Sequence, residues 1–167
     1  MLRLDDRDIL ILEILQAEGR LTKSELAKRI NLSNAPCWER LKRLERHGII
    51  EGYGARVRLN RVLDCVTVFV AAELESHRAE DFKRFEEAVA AEPRIVACWA
   101  LGGGFDFLFQ VVTGSIDAYQ RLIDRLLDVE IGLKRYFTYI VTKEIKRPDS
   151  LPVADLLGSS GVPENSD

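Results

Sequence analysis

The 167-residue sequence has few of the features on which several classes of protein depend. No apolar run approaches the roughly 18 residues that a membrane-spanning helix needs, and residues 1–5 do not resemble a signal peptide. The three cysteines, Cys37, Cys65 and Cys98, are odd in number and form no CxxC pair, which argues against a disulfide framework or a cysteine-rich zinc site. We therefore expect a cytoplasmic protein with no membrane partner and no metal.

Motifs of the common enzyme classes are also missing. The chain has no HExxH, GxSxG, P-loop or GxGxxG pattern, and its two histidines, His47 and His77, have no nucleophile placed beside them. Cys98 lies among apolar residues of a predicted strand, so we expect a buried and unreactive thiol. These observations predict a protein that is not an enzyme and needs no cofactor.

Charge is present but unevenly distributed. The whole sequence is mildly acidic, with a net charge of −3, which taken alone argues against nucleic-acid binding. Residues 1–61, however, contain 13 Lys and Arg against 9 Asp and Glu, a net charge of +4. Residues 62–167 contain 11 against 18, a net charge of −7. This asymmetry predicts two modules with different partners.

The basic N-terminal module is predicted to contain three helices. Asp5 or Asp6 can cap the first, Thr22 and Glu25 form a capping-box pattern at the start of the second, and Ser33 is placed to cap the third. A short and a longer helix joined by a tight turn are typical of a helix-turn-helix. A structural three-helix bundle with a charged face is the alternative.

The third helix would be the recognition helix, because its outer face and N-terminal half carry polar and basic side chains. Asn34 and Arg43 are candidates for reading base edges. An extended wing or linker strand is predicted at residues 49–57. Arg56, within it, and Arg58, just after it, are candidates for touching the DNA backbone. The other candidates on this face or for phosphate contact are Lys23, Ser33, Ala35, Trp38, Glu39, Arg40, Lys42 and Arg46.

The acidic module alternates strand-like and helix-like segments in the order βαββαβ. Strand patterns cover residues 62–75, 94–101, 105–113 and 136–145, and helical periodicity covers residues 79–91 and 116–129. This order is typical of a ferredoxin-like fold, in which helices cover one face of an antiparallel sheet. The other face is free, so we expect a homodimer to cover it.

Three consecutive glycines, Gly102, Gly103 and Gly104, separate the second and third predicted strands. A hairpin turn needs only one or two glycines, whereas three expose amide groups and allow a close approach of the backbone to another group. A loose hairpin turn is the alternative.

Four segments together resemble the Lrp/AsnC family, the feast/famine regulators of bacteria and archaea. They are residues 4–10 (LDDRDIL), 19–22 (GRLT), 32–45 (LSNAPCWERLKRLE) and 48–53 (GIIEGY). The family often has Ser-Pro-Thr-Pro-Cys where this chain has SNAPC at residues 33–37, so one hydroxyl is missing at an expected DNA contact and the operator preference can differ. Cys37 stands at the usual cysteine of the family and is expected to pack in the core.

The resemblance implies an α+β protein, with an N-terminal winged helix-turn-helix of three helices joined to a C-terminal ferredoxin-like βαββαβ regulatory (RAM) domain. We expect the DNA-binding domain at residues 1–53, a linker strand or hinge at 54–62, and the ligand-sensing and oligomerisation domain at 63–147. The proline- and glycine-rich tail at 148–167 is expected to be mobile, or to dock only through its leucines and valine.

The resemblance also implies an effector site at the glycines. In this family a Gly-x-x-Asp-like segment lies where dimers meet and binds an amino acid, and the segment here is Gly102-Gly103-Gly104-Phe105-Asp106. The glycine amides would bind a carboxylate and Asp106 would pair with an ammonium group, unless Asp106 is only an exposed strand residue or one that caps the glycine loop. Thr138 and Ile140 match positions that commonly line the same pocket. Trp99 and Tyr136 are nearby aromatic candidates, with a simple core position as the alternative for each.

We therefore predict a sequence-specific regulator that binds double-stranded DNA and responds to an amino acid or related small metabolite, as a homodimer that assembles into larger oligomers. Residues 119–124 and 135–143 also resemble regulators from ectoine-breakdown gene clusters. Two alternatives stay open: a DNA-binding oligomer with no small-molecule effector, and a ligand-binding module that does not bind DNA.

Overall fold

The chain divides into two compact units in a computed structural model that describes residues 2–128, 131–147 and 150–157. The first unit comprises Met1–Arg56 and Lys146–Asp167, and the second comprises Val57–Ile145. The chain therefore leaves the first unit, builds the second and returns to the first. Among the described residues, no three metal-ligating side chains cluster, and no helix is long and apolar enough to cross a membrane.

Helices with a common apolar core form the centre of the first unit: α1 (Asp6–Ala17), α2 (Lys23–Arg29) and α3 (Asn34–Arg46). Their apolar faces meet in one cluster, in which Ile11, Ile30 and Leu44 are fully buried. Cys37 lies in the same cluster, and burial raises the pKa of its thiol. This environment agrees with the packing role expected for Cys37.

Capping boxes begin the first two helices. Asp5 and Asp8 cap α1 reciprocally, and Thr22 and Glu25 cap α2 in the same way, as predicted. Ser33 occupies the N-cap position of α3, but its hydroxyl makes no capping hydrogen bond, so this part of the prediction is wrong. The physical reason is Pro36, which stands where the third amide of the helix would donate and has no N–H.

Left-handed residues end α2 and α3. Asn31, with φ 52°, follows α2 and closes a Schellman motif in which the Leu32 amide donates to the Ala27 carbonyl at 2.9 Å. Gly48, with φ 66°, ends α3 in the same manner. The tight turn at Asn31 produces the helix-turn-helix geometry of α2 and α3.

The segment after α3 is irregular. Residues 51–58 form no strand, and no strand of the described residues pairs with them, so the predicted extended wing or linker strand is not formed. A strand needs a neighbour for its backbone hydrogen bonds. Arg56 donates to the Ala17 carbonyl at 3.1 Å, which satisfies a free acceptor at the C-terminal end of α1. A single 3-10 turn, Leu59–Arg61, follows.

The C-terminal segment packs on α1 as a short helix, α6 (Val153–Leu157). The Gln16 side chain donates to the Leu151 carbonyl at 3.2 Å and accepts from the Leu151 amide at 2.7 Å. Val153 packs against the core of the three helices. Residues 150–157 are therefore docked, whereas residues 158–167 of the predicted mobile tail lie outside the described residues.

The second unit is an antiparallel sheet with the strand order β2-β3-β1-β4. Its elements, in chain order, are β1 (Val66–Leu74), α4 (Ala79–Ala91), β2 (Ile95–Ala100), β3 (Phe107–Thr113), α5 (Ile116–Asp128) and β4 (Leu133–Ile140). This order confirms the predicted βαββαβ topology. The last strand begins and ends earlier than the predicted residues 136–145, because Ile140 already lies opposite Val68 near the start of its partner β1.

Both helices cover the same face of the sheet. Alternate residues of the two central strands point into this layer, and Phe85 of α4 stacks on Phe107 with ring centroids 4.3 Å apart. The fully buried side chains of this core include Val68, Val70, Phe85, Phe109, Val111, Leu122 and Ile123. The core therefore lies between the helices and one side of the sheet.

The other face of the sheet carries exposed aromatic side chains. Trp99, Phe137 and Tyr139 are 48%, 45% and 54% exposed. The strand register sets Trp99 and Phe137 opposite Leu108 and Ala71, on the side away from the helices. We refer to this surface, formed by Trp99, Phe137, Tyr139 and their neighbours, as the open face.

Cys98 differs from its prediction because it is exposed rather than buried. It lies on β2, which is an edge strand, beside a groove between β2 and α4. Partial desolvation and the nearby Glu86 carboxylate nevertheless raise the pKa of its thiol, which keeps the thiol protonated and weakly nucleophilic.

The docking of α6 can be tested with Gln16→Ala. This change removes both hydrogen bonds to Leu151 and should cost about 1 kcal/mol locally, which raises the exchange rate of the Leu151 amide roughly fivefold. Hydrogen-exchange mass spectrometry of residues 150–157 measures the effect. Gln120→Ala, the same change at an exposed position of α5 in the second unit, is the matched control. Equal exchange in both variants would contradict the role of Gln16.

Candidate DNA-binding and effector-binding sites

The outer face of α3 consists of exposed residues at helical spacing. Cys37, Leu41 and Leu44 face the core. On the opposite side, the exposed positions are Ala35, Glu39, Lys42 and Arg46, with Asn34 exposed in the first turn. This face offers the cationic donors, the amide and the carboxylate acceptor that recognition of base edges and phosphates requires.

One side of α3 is attached to α1 by a buried carboxylate. Asp8 is fully buried, and its two oxygens accept from Arg40 at 3.0 Å and from Arg43 at 2.5 Å. Asp5 accepts from the same Arg40 nitrogen at 2.6 Å. Desolvation raises the pKa of the Asp5 carboxyl, but the hydrogen bonds from Arg40 and the Asp8 amide outweigh it, so the pKa lies below its usual value.

Through these ion pairs, Arg40 and Arg43 hold α3 against α1. Their side chains are 27% and 34% exposed, so each guanidinium is partly accessible while it is bonded to Asp8. Arg40 as a phosphate contact and Arg43 as a base contact stay predictions. Each of those roles would have to coexist with the ion pair, since removing it would take an ionic partner from a buried carboxylate.

The other side of α3 carries an aromatic ring that two lysines contact. Lys23 Nζ lies 3.3 Å from the centroid of the Trp38 ring, and Lys42 Nζ lies 4.6 Å from it. Lys42 also donates to Glu45 at 3.0 Å, and Glu45 accepts from the Tyr53 hydroxyl at 3.0 Å. Burial and this bond to Glu45 raise the pKa of Tyr53 to about 12.

Most of the predicted DNA-binding residues thus belong to one region of the first unit. Lys23 is at the start of α2, Ser33 precedes α3, and the others up to Arg46 lie on α3. Arg56 is separate from this group, because its guanidinium is bonded to the end of α1.

Asp106 holds the glycine loop, which we define as residues 101–106. The Leu101 amide donates to the Asp106 carbonyl at 2.8 Å, and the Asp106 amide donates to the Ala72 carbonyl at 2.9 Å. The Asp106 carboxylate accepts from the Leu74 amide at 2.8 Å and lies 2.9 Å from His77 Nε2. Both carboxylate oxygens therefore already have partners within the loop and its neighbours.

The glycines of this loop are open to solvent. Gly103 has φ 155°, a conformation that L side chains rarely adopt, and a Cβ built at any of the three glycines would meet no atom within 4 Å. Within the described part of the chain, the amides of Gly102, Gly103 and Gly104 have no hydrogen-bond partner. The loop can therefore donate to an incoming anion.

The remaining effector candidates are not brought together in one chain. Tyr136, Thr138 and Ile140 lie opposite core positions of β1, on the helix-covered side of the edge strand β4. The Thr138 hydroxyl is already 2.5 Å from the Tyr119 hydroxyl. Trp99 lies on β2, the other edge, on the open face. Three strand spacings, roughly 14 Å, separate the two edges, so one amino acid cannot touch both within a single chain.

Sequence reasoning did not identify several residues of these sites. The burial of Asp8 against α3 has no local signal in the sequence. His77, which contacts Asp106, is far along the chain in a loop. Phe137 packs edge-on against Phe105 with centroids 5.4 Å apart, a contact that depends on the pairing of β1 and β4.

Two family models together match most of the chain. The model of the Lrp/AsnC ligand binding domain matches residues 67–151, and the winged helix-turn-helix DNA-binding model matches residues 4–51.

Individual relatives match over a similar extent. The chain is 51% identical to the transcriptional regulatory protein DoeX of Halomonas elongata, over 93% of this chain and 99% of that protein. It is 35% identical to the leucine-responsive regulatory protein of Escherichia coli, over 90% of this chain and 92% of that protein. A transcriptional regulator of Neisseria meningitidis, solved in complex with L-methionine, has 34% identity and a TM-score of 0.85, over 92% of this chain and 99% of that chain.

The attachment of α3 through Asp8 can be tested with Asp8→Ala. Two arginines then lose their buried partner, and we expect the free energy of unfolding of the first unit to fall by about 3 kcal/mol. Asp6→Asn, at an exposed position in the same helical turn, should cost less than about 1 kcal/mol.

Urea unfolding measures both variants. The chain has two tryptophans, so in a Trp99→Phe background the fluorescence of Trp38 reports the first unit alone. Equal losses for Asp8→Ala and Asp6→Asn would show that the buried carboxylate does not hold α3.

Proposed function

The chain belongs to the Lrp/AsnC family of transcriptional regulators, and from this premise we propose how its residues divide DNA binding from effector sensing. It is an effector-responsive DNA-binding regulator, with the helix-turn-helix in the first unit and the ligand-binding domain in the second. We propose that it acts in the cytoplasm as a homodimer that assembles further, and we assign no catalytic step to it.

The outer face of α3 enters the major groove in this proposal. Asn34 and Glu39 face the bases, Lys42 and Arg46 contact phosphates, and the Ser33 hydroxyl donates to a further phosphate. The observation that carries the assignment is the attachment of α3 to α1 through Asp8, because it leaves this one face of the helix outward. Arg40 and Arg43 orient α3 and approach the DNA with their exposed edges.

The glycine loop binds the carboxylate of the effector. The support is the set of three unpartnered amides, which are available to donate to an anion without any charged side chain. Asp106 sets the shape of the loop through Leu74 and His77. The related regulator solved with L-methionine supports an amino acid or a related small metabolite as the effector class. The resemblance to regulators of ectoine-breakdown clusters adds products of ectoine breakdown to the compounds worth testing.

Assembly completes the effector site. The open face exposes Trp99, Phe137 and Tyr139, and a second copy that covered it would remove this apolar area from water. The effector candidates at the two edges of the sheet are too far apart to meet within one chain, so a site that used both would combine residues of different copies. Effector binding would then favour one assembly over another and change the operator affinity.

DNA binding is tested by fluorescence anisotropy with a duplex from the region upstream of the protein's own gene. Arg46→Ala should weaken binding to this duplex and to a random duplex alike, and lower the slope of log K against log salt by about 1, because one phosphate contact is lost. Arg121→Ala, an exposed arginine of α5, is the control and should change neither. Failure of the wild type to bind at low salt would reject the DNA-binding assignment, and an unchanged slope for Arg46→Ala would reject the contact.

Effector binding is tested with Gly104→Glu. The new carboxylate should repel the effector carboxylate, so a compound that stabilises the wild type by about 2.7 kcal/mol at 100 times its dissociation constant should lose this effect. Basal DNA affinity should not change. Gly104→Ala adds a methyl group in open space and should keep both properties. Thermal unfolding with a panel of amino acids and ectoine-breakdown products measures the response. An unchanged response in Gly104→Glu would place the effector elsewhere.

A further inference from the structure

We propose that Trp38 is a positioning residue for DNA binding: it holds the ammonium groups of Lys23 and Lys42 together so that they engage neighbouring phosphates of the DNA backbone. This inference rests on the proposed placement of α3 on DNA and adds a function for the aromatic ring beside it.

The ring is the contact that the two lysines share. Lys23 is the first residue of α2, whereas Lys42 follows Trp38 by one turn on α3. Their Nζ atoms lie 3.3 Å and 4.6 Å from the Trp38 centroid, well within the range of a cation–π contact. The ring therefore gathers two positive charges from different helices into one place.

Both ammonium groups stay accessible there. Lys23 and Lys42 are exposed, while Trp38 is half-buried against the core of the three helices. An ammonium group over a ring directs only part of its three N–H donors toward the ring, so the other donors can reach a phosphate oxygen. The contact with the ring and the contact with DNA are compatible.

The physical benefit is preorganisation. A lysine side chain has a flexible four-carbon stem, and fixing it on a phosphate costs conformational entropy. Held over the indole, each ammonium group has already lost much of this freedom before DNA arrives. Glu45 restrains Lys42 further at 3.0 Å, whereas Lys23 has no carboxylate within ion-pair distance among the described residues, so its restraint comes from the ring.

Packing alone would not need this arrangement. Leu41 and Leu44 fill the core beside Trp38 with aliphatic groups, and a leucine at position 38 would also bury apolar surface. An indole is the side chain that binds a cation best over its face. The test must therefore separate the ring as a cation holder from the ring as a packing group.

The experiment measures anisotropy of a labelled random-sequence duplex and of the upstream duplex from about 50 to 200 mM salt. Lys23→Met and Lys42→Met should each lower the slope of log K against log salt by about 1. Lys28→Met removes the same charge at an exposed position at the other end of α2 and is the matched control, with a smaller change expected. Trp38→Leu should weaken binding roughly threefold to tenfold, and Trp38→Phe, which keeps a ring, should recover most of the affinity.

A double-mutant cycle decides between the two roles of the ring. If Trp38 positions Lys23, then Lys23→Met should weaken binding clearly less in the Trp38→Leu background than in the wild type. Equal losses in both backgrounds would overturn the inference, because a packing residue would leave the effect of Lys23 unchanged. Thermal unfolding of each variant shows whether the fold is kept.

If Trp38→Leu does not fold, the comparison of Lys23→Met with Lys28→Met decides, and equal slopes for these two variants would overturn the inference. A wild type that binds neither duplex at low salt would instead overturn the proposed function and this inference with it. If the wild type binds DNA normally but the cycle shows no coupling between Trp38 and Lys23, only the proposed role of Trp38 is overturned.

Discussion

The first unit depends on one buried charge. Asp8 has no exposed surface, and a buried carboxylate is tolerated only when it is paired and hydrogen-bonded. Its partners are Arg40 and Arg43 of α3 and the backbone amide of Asp5. One side chain therefore completes the cap of α1 and sets the orientation of α3. The face that α3 turns to solvent, and hence the surface available to DNA, follows from this pairing.

In the second unit, the chain's own helices cover the sheet on one side only. Helices cover one face of the sheet, while the open face and the two edge strands are left exposed. The glycine loop lies between the strands β2 and β3 and is shaped by Asp106, whose oxygens are used by Leu74 and His77. Sensing in such a unit does not need a closed pocket within one chain. In the effector site that we propose, loop amides provide the anion-binding group and neighbouring copies provide the walls.

Much of the fold could be predicted from the sequence because its signals are local. The Thr22–Glu25 capping box, the tight turn between α2 and α3 and the βαββαβ order depend on residues a few positions apart and on apolar periodicity. The predictions were wrong where a neighbouring residue or strand changed the expected hydrogen bond, burial or strand end. Pro36 removes the amide that Ser33 would cap, and the edge position of β2 leaves Cys98 exposed. The end of β4 was misplaced because the register with β1 decides it.

The sequence by itself determined two modules of opposite charge, a helix-turn-helix with a basic third helix, and a glycine loop between two strands. Periodicity, caps and charge are properties of short segments, so they can be read along the chain. Only the tertiary structure decided which cations are engaged by the protein itself. Arg43 and Asp8 are 35 positions apart, and Lys23 meets Trp38 from another helix. Contacts of this kind form only when helices pack, because packing brings distant positions within the few ångströms over which ion pairs and cation–π contacts act.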